Sequence, residues 1–120
     1  LSDEQRRELE RRAGAYSGPY RDVVRAKAIL YAADNGAQVI PAGLAFARSI
    51  AQKPDLELYI ADKRHPSLAG SYLAACATYA TLFKKSPVGL SYTAGLDPAI
   101  ARHLQTVAWD TVQAYPQPAN

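Results

Sequence analysis

The sequence is poor in the residues that staple or metallate small proteins. Its 120 residues hold one cysteine, Cys76, and two histidines, His65 and His103. A lone cysteine excludes an internal disulfide, and its place inside the apolar run "SYLAACATYATLF" reads as a buried free thiol. Two distant histidines and one thiol do not supply the three or four ligands of a metal site, so neither metal nor cofactor is expected. No apolar run reaches the ~20 residues that a membrane span needs. No basic segment followed by an apolar one marks a signal peptide. Neither sign of charge dominates: 14 Lys and Arg stand against 11 Asp and Glu, a net charge of +3. The basic residues of the first third are interleaved with acids, too mild and mixed a charge to call for nucleic acid. The chain opens on Leu1, so it is read as a processed product or a piece of a longer protein, and its compartment is undetermined.

What is present is a globular composition. Nearly half the residues are apolar (48%), with no low-complexity segment and no internal repeat, and the length suits one compact domain with a modest core. Residues 1–34 read as a helical segment that precedes a longer one over 35–120. Ser2 and Gln5 have the capping-box spacing for a helix over 2–13, whose apolar stripe is only Leu9 and Ala13. "YSGPY" breaks the chain, with Ser17 a turn residue, and Pro19 opens a second helix to about Asp34, with Val23, Ala26, Leu30 and Ala33 on one face. "DNG" stops it. Residues 43–52 fit a short helix, and "AQVI" (37–40) and residues 57–60 are strand candidates. A helix over 67–83 rich in small residues follows, then a loop, then a helix capped by Asp97 with Pro98 at its first position. Ile100, Leu104, Val107, Ala108, Thr111 and Val112 give that last helix its apolar stripe. "YPQPAN" reads as a frayed tail. The fold class is mainly α: five helices and at most two short strands. The apolar faces of 67–83 and 98–112 are expected to cover each other, or to be covered across a homodimer.

One short stretch carries chemistry. In "ADKRHPS", Asp62 lies three residues before His65, and Pro66 stiffens the exit. A carboxylate beside an imidazole can fix the ring's tautomer so that the other nitrogen serves as a general base. It can also back a metal ligand, or be a surface hydrogen bond. Spacing alone leaves all three open.

The wider context adds to this. "DKRHPSLAGSYLAACATYATLFKKSPVGL" resembles the carboxy-terminal block of the SGNH/GDSL hydrolases, serine esterases and lipases whose last motif is Asp-x-x-His-Pro followed by a helix of small residues. The resemblance runs back through "GAQVIPAGLAFARSIAQKPDLELY" and forward through "GLDPAIARHLQTVAWDTV", about residues 34 to 115. It implies the back third of a three-layer α/β hydrolase acting on a small acyl ester. His65 then corresponds to the catalytic base and Asp62 to its orienting carboxylate. The Gly-Asp-Ser block that carries the family's nucleophile has no counterpart here, nor do the Gly and Asn that build its oxyanion hole; Asn35 lies in the helix stop. The residues before it, "LSDEQRRELERRAGAYSGPYRDVVRAKAILYAADNG", resemble the first two helices of the helix-turn-helix domain of insertion-sequence transposases. That implies an alternative: a non-catalytic interaction or DNA-associated helical module. The recognition helix such a module needs does not follow.

The remaining candidates read as structural. His103 falls beside Ala99 and Asp110 on the polar side of the last helix, as a surface histidine. "RRELERR" reads as a solvated helix face, Trp109 and the eight tyrosines as packing residues, and "KRH" as a solvated loop.

Overall fold

A computed structural model describes residues 2–14 and 20–117; Ser17 and Pro19, read above as a turn residue and a helix opener, lie outside the described residues. The described residues form five helices: α1 (Asp3–Ala13), α2 (Tyr20–Asn35), α3 (Ala42–Gln52), α4 (Leu68–Phe83) and α5 (Pro98–Ala114). There is no sheet among them, so the class is mainly α. The chain divides into two units, residues 1–39 with 116–120, and residues 40–115.

In the first unit, α1 packs on α2. Ser2 Oγ accepts from Gln5 N at 3.0 Å while Gln5 Oε1 accepts from Ser2 N at 2.9 Å, which satisfies two donors that a bare helix start would leave open. None of α1 is buried. Three of its four arginines are paired with acids instead: Arg11 and Arg12 both donate to Glu8, and Arg6 reaches Asp34 of α2 at 2.5 Å. Among the described side chains of α2, Ala26 and Ala33 of the expected face are buried, joined by Ala32, while Val23 and Leu30 are half-buried. Gly36, at φ +70°, stops α2 in the left-handed conformation that glycine adopts at no cost.

The first strand candidate, residues 37–40, has no strand beside it among the described residues. Its Val39 exchanges two hydrogen bonds with the Gln117 side chain, Val39 N to Oε1 and Nε2 to Val39 O, both 2.8 Å. A carboxamide thus stands where a neighbouring peptide would. As far as Gln117, the tail is tied down rather than frayed.

The second unit holds the larger core. Leu73, Ala77, Leu104, Val107 and Ala108 meet between α4 and α5, so these apolar faces cover each other. Helix α3 adds Ala45 and, at the edge, Phe46. Gln105, in the stripe of α5, is 2% exposed and fully used. Its Nε2 donates to Tyr72 Oη (2.9 Å) and Leu90 O (3.1 Å), and its Oε1 accepts from Gly89 N (3.0 Å). Tyr72 in turn donates to Tyr92 O at 2.7 Å. One amide therefore pins the 84–97 loop across α4 and α5, leaving no buried polar side chain unpaired among the described residues. Cys76 is a buried free thiol as expected, and burial pushes its ionisation up.

The second strand candidate, 57–60, turns back on the residues that follow it. Tyr59 bridges to Pro66, Ile60 N donates to His65 O, and Ser67 N donates to Leu58 O, both bonds 2.9 Å. With no other strand to pair with, its backbone is satisfied locally.

Candidate functional site

The site sits at the tip of that fold-back. Between the Ile60–His65 bond and the tip, Lys63 N donates to Ile60 O at 2.9 Å, and Lys63 adopts φ +59°. That left-handed conformation costs roughly 1–2 kcal/mol for a residue with a side chain. Asp62 holds the turn closed: its Oδ1 accepts from Arg64 N (2.9 Å) and His65 N (3.0 Å). Aspartate is suited to such a turn because its short side chain reaches the backbone two and three residues on. Below the tip, Ser67 donates to Glu57 O at 2.8 Å and accepts from Gly70 N at 3.1 Å, capping α4. His65 is therefore fixed three residues before the start of the central helix, two before its cap Ser67.

Asp62's second oxygen, Oδ2, meets His65 Nδ1 at 2.5 Å. The ring hydrogen bond, then the backbone N–H groups of His65 and Arg64, hold Asp62 below the usual carboxylate range. The carboxylate is ionised at neutral pH and accepts a proton-bearing Nδ1. In the neutral ring this leaves the lone pair on Nε2. The His65 side chain is 75% exposed and that of Asp62 41%, so the ring reaches into solvent from a fixed base. The structure brings together the two residues expected to act together.

It does not bring a nucleophile to them. None of Ser49, Ser67, Ser71, Ser86 and Ser91 hydrogen-bonds to His65 among the described residues. Ser2 caps α1, and Asn35 donates to Tyr31 O at the end of α2. No group of three or more His, Cys, Asp or Glu among the described residues could hold a metal ion. Among the described residues no helix is long and apolar enough to cross a membrane.

Ser49 pairs with the other histidine. Its Oγ lies 3.0 Å from His103 Nε2, linking α3 to α5 across 54 residues of sequence. His103 is thus a half-buried bridging residue and not the surface histidine expected. Its helix places Ile100 three residues before it and Val107 four after, which draws its ring to the border of the apolar stripe. Burial first, then the charge of Lys53, lowers His103 below the usual imidazole range. A serine on an imidazole is a nucleophile–base arrangement in outline. Here Ser49 is 0% exposed and no carboxylate accompanies the ring, so this pair cannot meet a substrate as it stands.

Comparison with protein-family models, with curated proteins and with solved structures gives no match to this chain.

Proposed function

We propose that this chain carries the base and the orienting carboxylate of an SGNH/GDSL-type serine acyl hydrolase, with His65 as general base and Asp62 as its orienter. The observation that supports this most is the 2.5 Å Asp62–His65 bond, made through Nδ1 on a ring otherwise open to solvent. The resemblance of residues 34–115 to that family supports it as well. In this reading a serine from outside the described residues gives its proton to Nε2 as its oxygen attacks the carbonyl of a small acyl ester. The resulting imidazolium, stabilised by Asp62, returns the proton to the departing alkoxide, and water repeats both steps to release the acid. General base catalysis of this kind is worth roughly 10²–10⁴-fold, and each oxyanion donor about 10²–10³-fold. With the base alone, the only nucleophile His65 can activate is water, and hydrolysis by this chain is feeble.

A short-chain aryl ester assay tests the proposal. Slow hydrolysis above the buffer rate is expected, falling to the buffer rate in His65→Ala and by part of the increment in Asp62→Asn. A rate indifferent to His65→Ala would overturn the role of the base. Stoichiometric labelling of a serine by an aryl fluorophosphonate would instead overturn the claim that the nucleophile comes from elsewhere. The alternative, a DNA-associated helical module, has less support: Arg6, Arg11 and Arg12 are already paired with acids and not set out for phosphates.

A further inference from the structure

The second unit contains an inter-helix contact that the hydrolase reading does not use. Ser49, with no exposed surface, and half-buried His103 form a 3.0 Å hydrogen bond that joins α3 to α5. Of the two cations on and at the end of α3, Arg48 and the C-cap Lys53, it is Lys53 that acts on the ring, one turn beyond Ser49 and 3.9 Å from Asp55. Helix α4, packed against both neighbours, has no charged residue from Leu68 to Phe83; its titratable groups are Tyr72, Cys76 and Tyr79. On α5 itself, Arg102 and Asp110 are exposed. Among the described residues the imidazole is thus met by a hydroxyl, a cation and apolar surface, the nearby Asp55 lying against Lys53, and no acid acts on the ring to offset a second proton's charge.

We propose that the Ser49–His103 contact is an acid-sensitive latch: in the neutral form it holds α3 on α5, and protonation of His103 loosens α3. The positive ring would be half-buried and facing Lys53, and both desolvation and like charge oppose it. The direction follows from linkage. A histidine held below its ordinary value of 6.5 binds fewer protons folded than unfolded. Its contribution to stability is then complete above that pH and is lost as the pH falls below it.

The latch reaches the Asp62–His65 loop through contacts within the same unit. Phe46 of α3 packs on Tyr59 with ring centroids 5.4 Å apart. Tyr59 bridges to Pro66, the neighbour of His65. Release of α3 therefore frees one wall of the fold-back that carries the dyad. The latch stands whether or not the dyad is catalytic.

Amide hydrogen exchange on the whole chain, followed by NMR from about pH 7.5 to about pH 5 and corrected for intrinsic exchange, tests it across the range where a histidine titrates. The expected result is that protection of residues 44–52 falls relative to 68–83 by roughly five-fold or more, the lower end of ordinary coupling between two sites. The fall should track the His103 imidazole signals, be absent in His103→Gln and be smaller in Lys53→Gln, which removes the repelling charge without touching the hydrogen bond. Should His103→Gln fail to fold, wild type and Lys53→Gln decide the matter. Constant relative protection in the wild type, or an equal fall in Lys53→Gln, would overturn the latch.

Discussion

The Cα of Gly70 in α4 lies against the carbonyl group of Leu58. A Cβ added at Gly70 would collide with Leu58 O and stand 3.1 Å from its carbonyl carbon and 3.2 Å from Phe46 Cζ. This approach seats the segment before the Asp62–His65 turn directly on the central helix. In an exposed helix, alanine would be better than glycine by about 1 kcal/mol. Here the clash is with backbone that cannot swing aside, so it outweighs propensity. Gly70→Ala is expected to destabilise the chain by roughly 1–3 kcal/mol, measured by urea unfolding. A stabilised Gly70→Ala variant would show that the Leu58 segment yields easily.

The amide of Gln105 serves Tyr72, Gly89 and Leu90 at once. Gln105→Leu keeps the approximate shape but strands the Gly89 N–H and the Leu90 carbonyl and takes from the Tyr72 hydroxyl the bond it accepts, while that hydroxyl still donates to Tyr92 O. A loss of about 2 kcal/mol in thermal or denaturant unfolding is expected, from a cost near 1 kcal/mol for each of the two stranded groups. A near-neutral result would mean that water replaces the amide without cost.

Glu8 accepts from Arg11, then Arg12, and these bonds lower its carboxyl from 4.5 to about 2. Its contribution to α1 is therefore present above pH 4.5 and lost as the pH falls toward about 2. With no buried residue, α1 is also the helix expected to exchange fastest. Amide exchange of residues 3–13 should speed up in that acid window, beyond the intrinsic change, and Glu8→Gln should remove the window. Protection in α1 equal to that in α4 would contradict this.

Lys63 holds φ +59° at the tip of the dyad turn. Lys63→Gly relieves strain but adds freedom to the unfolded chain, so its stability is expected within about 0.5 kcal/mol of wild type. Lys63→Val, β-branched at the same φ, should cost roughly 1–2 kcal/mol and disturb the His65 ring signals. Equal stability of the two variants would show that the turn reshapes freely.

What could be read from the sequence was local. The Ser2–Gln5 box, the Asp97–Pro98 start of α5 and the Asp62–His65 spacing each involve residues three or fewer apart, so side-chain reach settles them. What could not be read depends on distant partners. Ser49 and His103 are 54 residues apart, and nothing near either names the other. Gln105 offered a signal, a polar residue one position from Leu104 in an apolar stripe, but its loop partners lie 15 and 16 residues away. The strand candidates had suitable residues, yet a strand exists only if another pairs with it. Residues 37–40 met a glutamine side chain and 57–60 met the chain's own next turn.

The most direct test of the account is the tautomer of the neutral His65 ring, read from ¹⁵N chemical shifts of the two imidazoles. A solvated, unpartnered imidazole has no hydrogen bond to fix which nitrogen keeps the proton. If Asp62 orients His65, the proton sits on Nδ1, its resonance is shifted strongly downfield by the short bond to Asp62, and Nε2 is bare. Asp62→Asn should abolish that signature while leaving the His103 signals unchanged. A neutral His65 protonated on Nε2, or ring shifts unaltered by Asp62→Asn, would contradict the claim that this pair is an oriented base.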